Sequence, residues 1–168
     1  MATPIISVVG TSDSGKTTLV EKLVSRLVEL GFRVGTVKHD VHGFEMDREG
    51  KDSWRHKRAG ASTTVISSQW RVGMVKDVPH ELTLDEITER FFYDVDIVLA
   101  EGYKREAKPK IEVHRKVLKR ELLSTKSDGL IAVMSDEPLE LKVPCFDIND
   151  VASLTQLLLS YTELDRLR

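Results

Sequence analysis

The chain has 168 residues, 40% hydrophobic and 31% charged, with a formal net charge of -2. That suits one ordinary globular domain, 1–168, with a real core, and the slight acidity excludes a whole-chain electrostatic case for nucleic acid. The single cysteine, Cys145, excludes an internal disulfide framework and a cysteine-based metal cluster; its apolar surroundings suit a buried, inert thiol.

The first apolar run, about Pro4 to Val9, reads as a strand. The residues before it carry no signal-peptide pattern, and no apolar stretch approaches the length of a bilayer crossing. A cytoplasmic location with no membrane partner is therefore expected. Gly10-Thr11-Ser12-Asp13-Ser14-Gly15-Lys16-Thr17 follows the strand directly. A helix begins near Lys16 and runs to about Leu30, with Leu19, Val20, Leu23, Val24, Leu27 and Leu30 at three- and four-residue steps. This is the P-loop pattern in its strand–loop–helix context.

Gly31 stops that helix as a C′ glycine, and Phe32 to Lys38 reads as a second strand. A polar segment, His39 to about Lys51, precedes a short charged helix, Asp52 to Ala59. Ser62–Ser68 and Arg71–Lys76 are β-rich and separated only by Gln69-Trp70, the spacing of a hairpin. Thr83 and Glu86 form a capping box that opens a helix through about Phe92. Asp96 to Ala100 is a continuous apolar strand of the kind buried on both faces of a parallel sheet. Further strands are expected at Lys110–Val113, Leu130–Met134 and Cys145–Ile148, and a last helix from about Val151 to Tyr161. The predicted fold is α/β: a P-loop NTPase fold, three-layer α/β/α, with a mostly parallel sheet and a protruding β-hairpin.

The chemistry of the loop can be assigned residue by residue. Backbone N–H groups around Gly10 to Lys16 form an anion nest, and the positive end of the helix dipole points at it. Gly10 and Gly15 permit the dihedrals that wrapping a phosphate demands. Lys16 reaches the β- and γ-phosphates, and the Thr17 hydroxyl is a ligand for Mg²⁺. A second acid is needed for the metal, and Glu101 and Asp96 compete. Ligands bind outside the carboxyl ends of parallel strands. The two acids stand at opposite ends of one strand, roughly 16 Å apart, which selects Glu101. Lys38, His39 and Asp40 end the second strand and should face the same site, with Asp40 placed to hold a metal-bound water or orient an attacking one. The His39/His42 pair could suggest a transition-metal site, and a loop that senses the γ-phosphate is the competing reading.

Lys51, Arg55, Lys57 and Arg58 form either a solvated helix face or a cationic arm toward a phosphate-bearing ligand. From Lys104 to Arg120, eight basic residues face only Glu106 and Glu112, a cationic region that is either a binding surface for an anionic small molecule or acidic partner or simply a solvated surface. Asp136, after the Leu130–Met134 strand, could accept from guanine N1–H and the exocyclic amine, or be an ordinary turn residue before Pro138. The hairpin around Trp70 either pairs with another chain or packs on its own sheet.

Taken in order, the P-loop stretch Gly10–Leu19, Thr36-Val37-Lys38-His39, Gly50–His56, Ala59-Gly60-Ala61, Leu99–Lys104 and Pro109–Val113 resemble the MobB family of molybdopterin-guanine dinucleotide biosynthesis adaptor proteins. The resemblance covers nearly two thirds of the chain. It implies a GTP-binding P-loop protein with weak or no intrinsic GTP hydrolysis. Such a protein assists attachment of GMP to molybdopterin alongside the guanylyltransferase MobA, and works as a homodimer. It also implies phosphate binding by Gly10 to Thr18, a Walker-B-like role for Glu101, and nucleotide or pterin contacts from Asp52, Ser53, Arg55 and the Glu101–Lys104 stretch. Two rival readings stay open on residues alone: a small-molecule P-loop kinase, with Lys51 to Arg58 as its lid, and a GTP-driven metallochaperone using His39 and His42.

Overall fold

The structure is a computed structural model that describes residues 2–40 and 43–167. In chain order the elements are β1 (Ile5–Val9), α1 (Lys16–Glu29), β2 (Val34–Lys38), α2 (Asp52–Arg58), β3 (Thr63–Ser67), β4 (Val72–Lys76), α3 (Leu84–Phe91), β5 (Ile97–Glu101), β6 (Lys110–His114), β7 (Leu130–Ser135), β8 (Cys145–Asp147) and α4 (Val151–Tyr161). Short 3-10 turns occupy Lys116–Leu118, Lys126–Asp128 and Leu164–Leu167. The chain divides into two compact units, Met1–His39 with Thr83–Arg168, and Asp40–Leu82.

In the first unit, six strands run in the order β2-β5-β1-β6-β7-β8, every neighbouring pair parallel. The strand that leads into the glycine-rich loop is therefore central. Parallel strands bury both faces, and the sequence obeys: β1 and the first four residues of β5 are buried throughout. On one face Leu23 and Leu27 of α1 and Leu154 and Leu158 of α4 pack with Ile6, Val8, Leu99, Ile111 and Met134. On the other, Leu84 of α3 and Tyr103 pack with Ile5, Val98 and Ala100. These are the three expected layers. Each fully buried leucine contributes about 1.5–3 kcal/mol relative to an exposed one. Helix starts are closed in the ordinary way at α3, by the Thr83/Glu86 capping box, and at α4, by the Asp150 side chain.

Strand β6 departs from the sequence reading. Ile111 and Val113 join the apolar core, while the alternating Lys110 and Glu112 are each only 2% exposed. The Lys110 ammonium donates to the carbonyls of Glu106 (2.7 Å) and Asp128 (2.7 Å). The Glu112 carboxylate accepts the N–H groups of Leu123 (2.6 Å) and Ser124 (3.0 Å). The two charges satisfy loop backbone groups that burial would otherwise strand. The cationic region between Lys104 and Arg120 is correspondingly thinner than its residue count suggests. Lys110 is interior, Lys108 pairs with Asp85, Arg115 with Asp136 and Lys116 with Glu137.

In the second unit, β3 and β4 form a two-stranded antiparallel sheet in register from Thr63↔Lys76 to Ser67↔Val72. Its turn is the expected Gln69-Trp70, closed by the Ser68 N–H on the Arg71 carbonyl at 2.8 Å. Lys57 of α2 pairs with Asp77 at 2.6 Å, and the Arg58 guanidinium lies over the Trp54 ring. Val65, Ile66, Val72 and Met74 are exposed, and Trp70 is 84% exposed.

Burial raises the Glu112 pKa above the ordinary carboxylate value, and the two backbone N–H groups oppose it only in part. A folded-state pKa above the unfolded one means that the folded protein holds the proton more tightly, so stability falls as pH rises between the two values. Wild type should therefore lose stability relative to Glu112→Gln as pH climbs from the ordinary carboxylate pKa through the raised one. Below that window the difference between the two proteins should be constant. Urea unfolding at a series of pH values measures it.

Candidate functional site

The turn between β1 and α1 is wound by three left-handed residues, Gly10 (φ 148°), Asp13 (φ 62°) and Gly15 (φ 98°). At Gly10 the close approach is visible as well. A Cβ there would stand 2.6 Å from the Ser14 hydroxyl and 2.7 Å from the Val113 carbonyl. Glycine is required for space as much as for dihedral. Gly15 holds the N-cap position of α1 but offers no side chain to it, and the first turn of the helix contains no acid. Its leading N–H groups and its dipole are thereby left for an anion. Thr11, Ser12, Asp13 and Ser14 complete the turn, and Thr17 and Thr18 are exposed at the start of the helix. Ser14 is fully buried, and its hydroxyl has no hydrogen-bond partner among the described residues.

Lys16 folds back over this loop. Its ammonium donates to the carbonyls of Gly10 (3.1 Å) and Thr11 (2.7 Å). Burial lowers its pKa, with Lys38 acting in the same direction and Glu101 and Asp13 opposing. A partly desolvated ammonium above a ring of N–H groups is a receptor for an oxyanion.

Glu101 ends β5 at the position expected of the second acid. Its register partners are Val8 on β1 and Lys38 on β2. The Thr17 hydroxyl donates to both of its oxygens, at 3.0 and 3.1 Å, and the Lys38 ammonium is 3.5 Å from Oε1. A hydroxyl and a carboxylate oxygen in contact beside a phosphate nest are the hard oxygen donors that suit Mg²⁺. Asp96 is excluded as its sequence position implied. At the other end of the strand it accepts the Arg33 backbone N–H at 2.7 Å and the Arg33 guanidinium at 3.1 Å.

The remaining candidates fare differently. Asp136 follows β7; its Oδ1 accepts the Lys116 N–H at 2.8 Å and its Oδ2 lies 3.5 Å from the Arg115 guanidinium. The Lys116 bond first, and then Arg115, lower its pKa. Asp40 is the first residue of the second unit, exposed and outside any regular element. The His39 ring packs against that of Tyr103 at 5.0 Å, tilted by 43°, while His42 lies outside the described residues. Among the described residues no group of three or more His, Cys, Asp or Glu side chains stands together as a metal site, and no helix is long and apolar enough to cross a membrane.

Sequence reasoning missed Arg115 as a loop residue. Its Nε donates to the Ser14 carbonyl at 3.3 Å. The only signal was its place at the end of a strand, and that acquires meaning once β6 is known to neighbour β1.

The family described as molybdopterin guanine dinucleotide synthesis protein B matches residues 5–136. A Haemophilus influenzae protein named molybdopterin-guanine dinucleotide biosynthesis adapter protein is 36% identical over 156 residues, covering 92% of this chain and 87% of that one. The Escherichia coli protein of the same name is also 36% identical, covering 95% and 94%. A solved structure, that of molybdopterin-guanine biosynthesis protein B, superposes with a TM-score of 0.76 at 33% identity, over 95% of this chain and 99% of that one. With a P-loop NTPase fold, a nucleotide-binding loop in its required context and this extent of similarity, the chain belongs to the MobB family.

Proposed function

We propose that this chain is a cytoplasmic, Mg²⁺-dependent GTP-binding adapter in molybdopterin guanine dinucleotide biosynthesis, with weak or no hydrolysis of its own. The observation that carries the reading is the Thr17–Glu101 contact at the mouth of an uncapped helix start. Gly10 to Thr18 bind the phosphates, and Lys16 leaves its two carbonyl partners to follow them. Thr17 and Glu101 would hold Mg²⁺, which would neutralise phosphate charge. The Lys38 ammonium, 3.5 Å from Oε1, helps aim the Glu101 carboxylate. Asp40 is assigned the water beside the γ-phosphate, and Asp136 the base side of the nucleotide. The whole chain, 1–168, acts as one nucleotide-binding domain in which Asp40–Leu82 is an insertion.

The partners proposed are a MobA-like guanylyltransferase and molybdopterin or its guanine dinucleotide. The second unit supports a homodimer. Each of its two strands has a ladder edge that pairs with no strand among the described residues, and its exposed valine, isoleucine, methionine and tryptophan side chains suit burial against a second copy.

Lys16→Ala should abolish GTP binding by calorimetry while leaving the circular dichroism spectrum unchanged; near-normal affinity would remove the assignment. Glu101→Gln should lose the Mg²⁺ dependence of binding with only a moderate fall in affinity. An unchanged Mg²⁺ titration would move the acidic role to Asp40. GTP should bind more tightly than ATP, and no γ-phosphoryl should pass to an acceptor other than water, as a kinase would require. Trp70→Glu should shift the protein toward monomer in sedimentation equilibrium without lowering its GTP affinity.

A further inference from the structure

The phosphate end of the nucleotide is provided for by the loop; its nucleoside end needs a direction and a surface. On one side of the loop the way is filled by Thr17 and Lys38, each in contact with Glu101. On the other side the sheet continues as β6, β7 and β8, whose carboxyl ends are followed by Arg115, Asp136 and Asn149. A recess of about 30 Å³ lies there between Gly15, Thr18, Arg115, Ile148 and Asn149. It adjoins an open groove of about 420 Å³ along α1, with Lys22 and Asn149 on the shared border. The border is closed by a hydrogen bond from the Lys22 ammonium to Asn149 Oδ1 at 3.2 Å.

Arg115 is unusually well fixed for a half-exposed arginine. Its Nε donates to the Ser14 carbonyl and its Nη1 is held by Asp136. Its Nη2 lies 3.7 Å from where a Cβ on Gly15 would be, an ordinary contact distance, so the guanidinium stands directly beside the N-cap of α1. Asp136 directs one oxygen to each of Arg115 and Lys116. A carboxylate turned toward the Arg115 corner in this way is well disposed to hold a guanidinium flat.

Resting on the nucleotide reading above, we infer that the purine of the bound nucleotide lies on the planar guanidinium of Arg115, with Asp136 as the residue that positions it. A fixed guanidinium plane is a stacking surface for a purine ring. The Asn149 amide, once released from Lys22, is a neutral hydrogen-bonding group on the recess for the nucleoside. Because stacking is tolerant of ring substituents, the arrangement favours purines as a class, and discrimination among them falls to hydrogen bonds such as those of Asn149.

The test compares two probes, GTP and inorganic tripolyphosphate, each with Mg²⁺, by calorimetry. In wild type GTP should bind more tightly than tripolyphosphate. Arg115→Ala should weaken GTP about tenfold, the scale of one lost stacking contact, and leave tripolyphosphate within about twofold. That unchanged second affinity also certifies the folded loop. Asp136→Ala should reproduce the loss, and the double variant should be little worse than either single one, because the carboxylate acts through the guanidinium. Parallel weakening of both probes would overturn the inference by making Arg115 a support of the phosphate loop. Unchanged GTP affinity would place the purine elsewhere. Additive losses would make Asp136 a direct reader of the base. A wild-type protein that takes up tripolyphosphate no less tightly than GTP would sink the nucleoside contact alone, and one that takes up neither would overturn the nucleotide reading and this inference with it.

Discussion

A single hydrogen-bonded junction organises the site: the Thr17 hydroxyl on the Glu101 carboxylate. It joins the first turn of α1 to the last residue of β5, two places far apart in sequence, and it exists because β5 lies beside β1 in parallel register. Shifting that register by one residue would turn Glu101 to the opposite face of the sheet. The apolar residues that fix the register, Val98, Leu99 and Ala100 among them, are each fully buried. Core packing and the Thr17–Glu101 geometry are thus one constraint seen from two sides.

The sheet meets its two faces by different means. Toward α1 and α4 the contact is hydrophobic and continuous. On the opposite face of β6 an ammonium and a carboxylate replace apolar side chains, and their partners are backbone groups of the flanking loops. Such charges carry a desolvation cost, but they also fix those loops in place. The segment between Glu112 and Ser124 contains Arg115 and Lys116, the two partners of Asp136. The buried polar pair therefore lies next to the corner on which Arg115 is mounted.

Much of this was legible in the sequence because it is encoded locally. The loop, the helix it opens, the Thr83 capping box and the Gln69-Trp70 turn depend on residues within a few positions of one another. Glu101 was legible through one additional step, the rule that ligands gather at the carboxyl ends of parallel strands. What the sequence withheld was strand order. Without knowing that β6 adjoins β1, Arg115 is one basic residue among eight. Nor does a lysine or glutamate in a strand announce that it faces inward, since charged side chains are seldom fully buried, and Lys110 was read as surface for that reason. Asp136 was picked out as a residue that follows a late strand, and its immediate neighbours are a backbone amide and a guanidinium. Those partners follow from the path of the loop after β6, and no spacing in the sequence specifies it.

Lys16 is anchored to the carbonyls of Gly10 and Thr11, which sets a threshold for any anion. A lone inorganic phosphate arriving at the nest must detach the lysine from two good acceptors and has only one group with which to compensate. A chain of linked phosphates meets the same obstacle once and then engages several N–H groups, the ammonium and the Thr17 corner together. A self-tethered lysine thus weighs against short anions in favour of long ones.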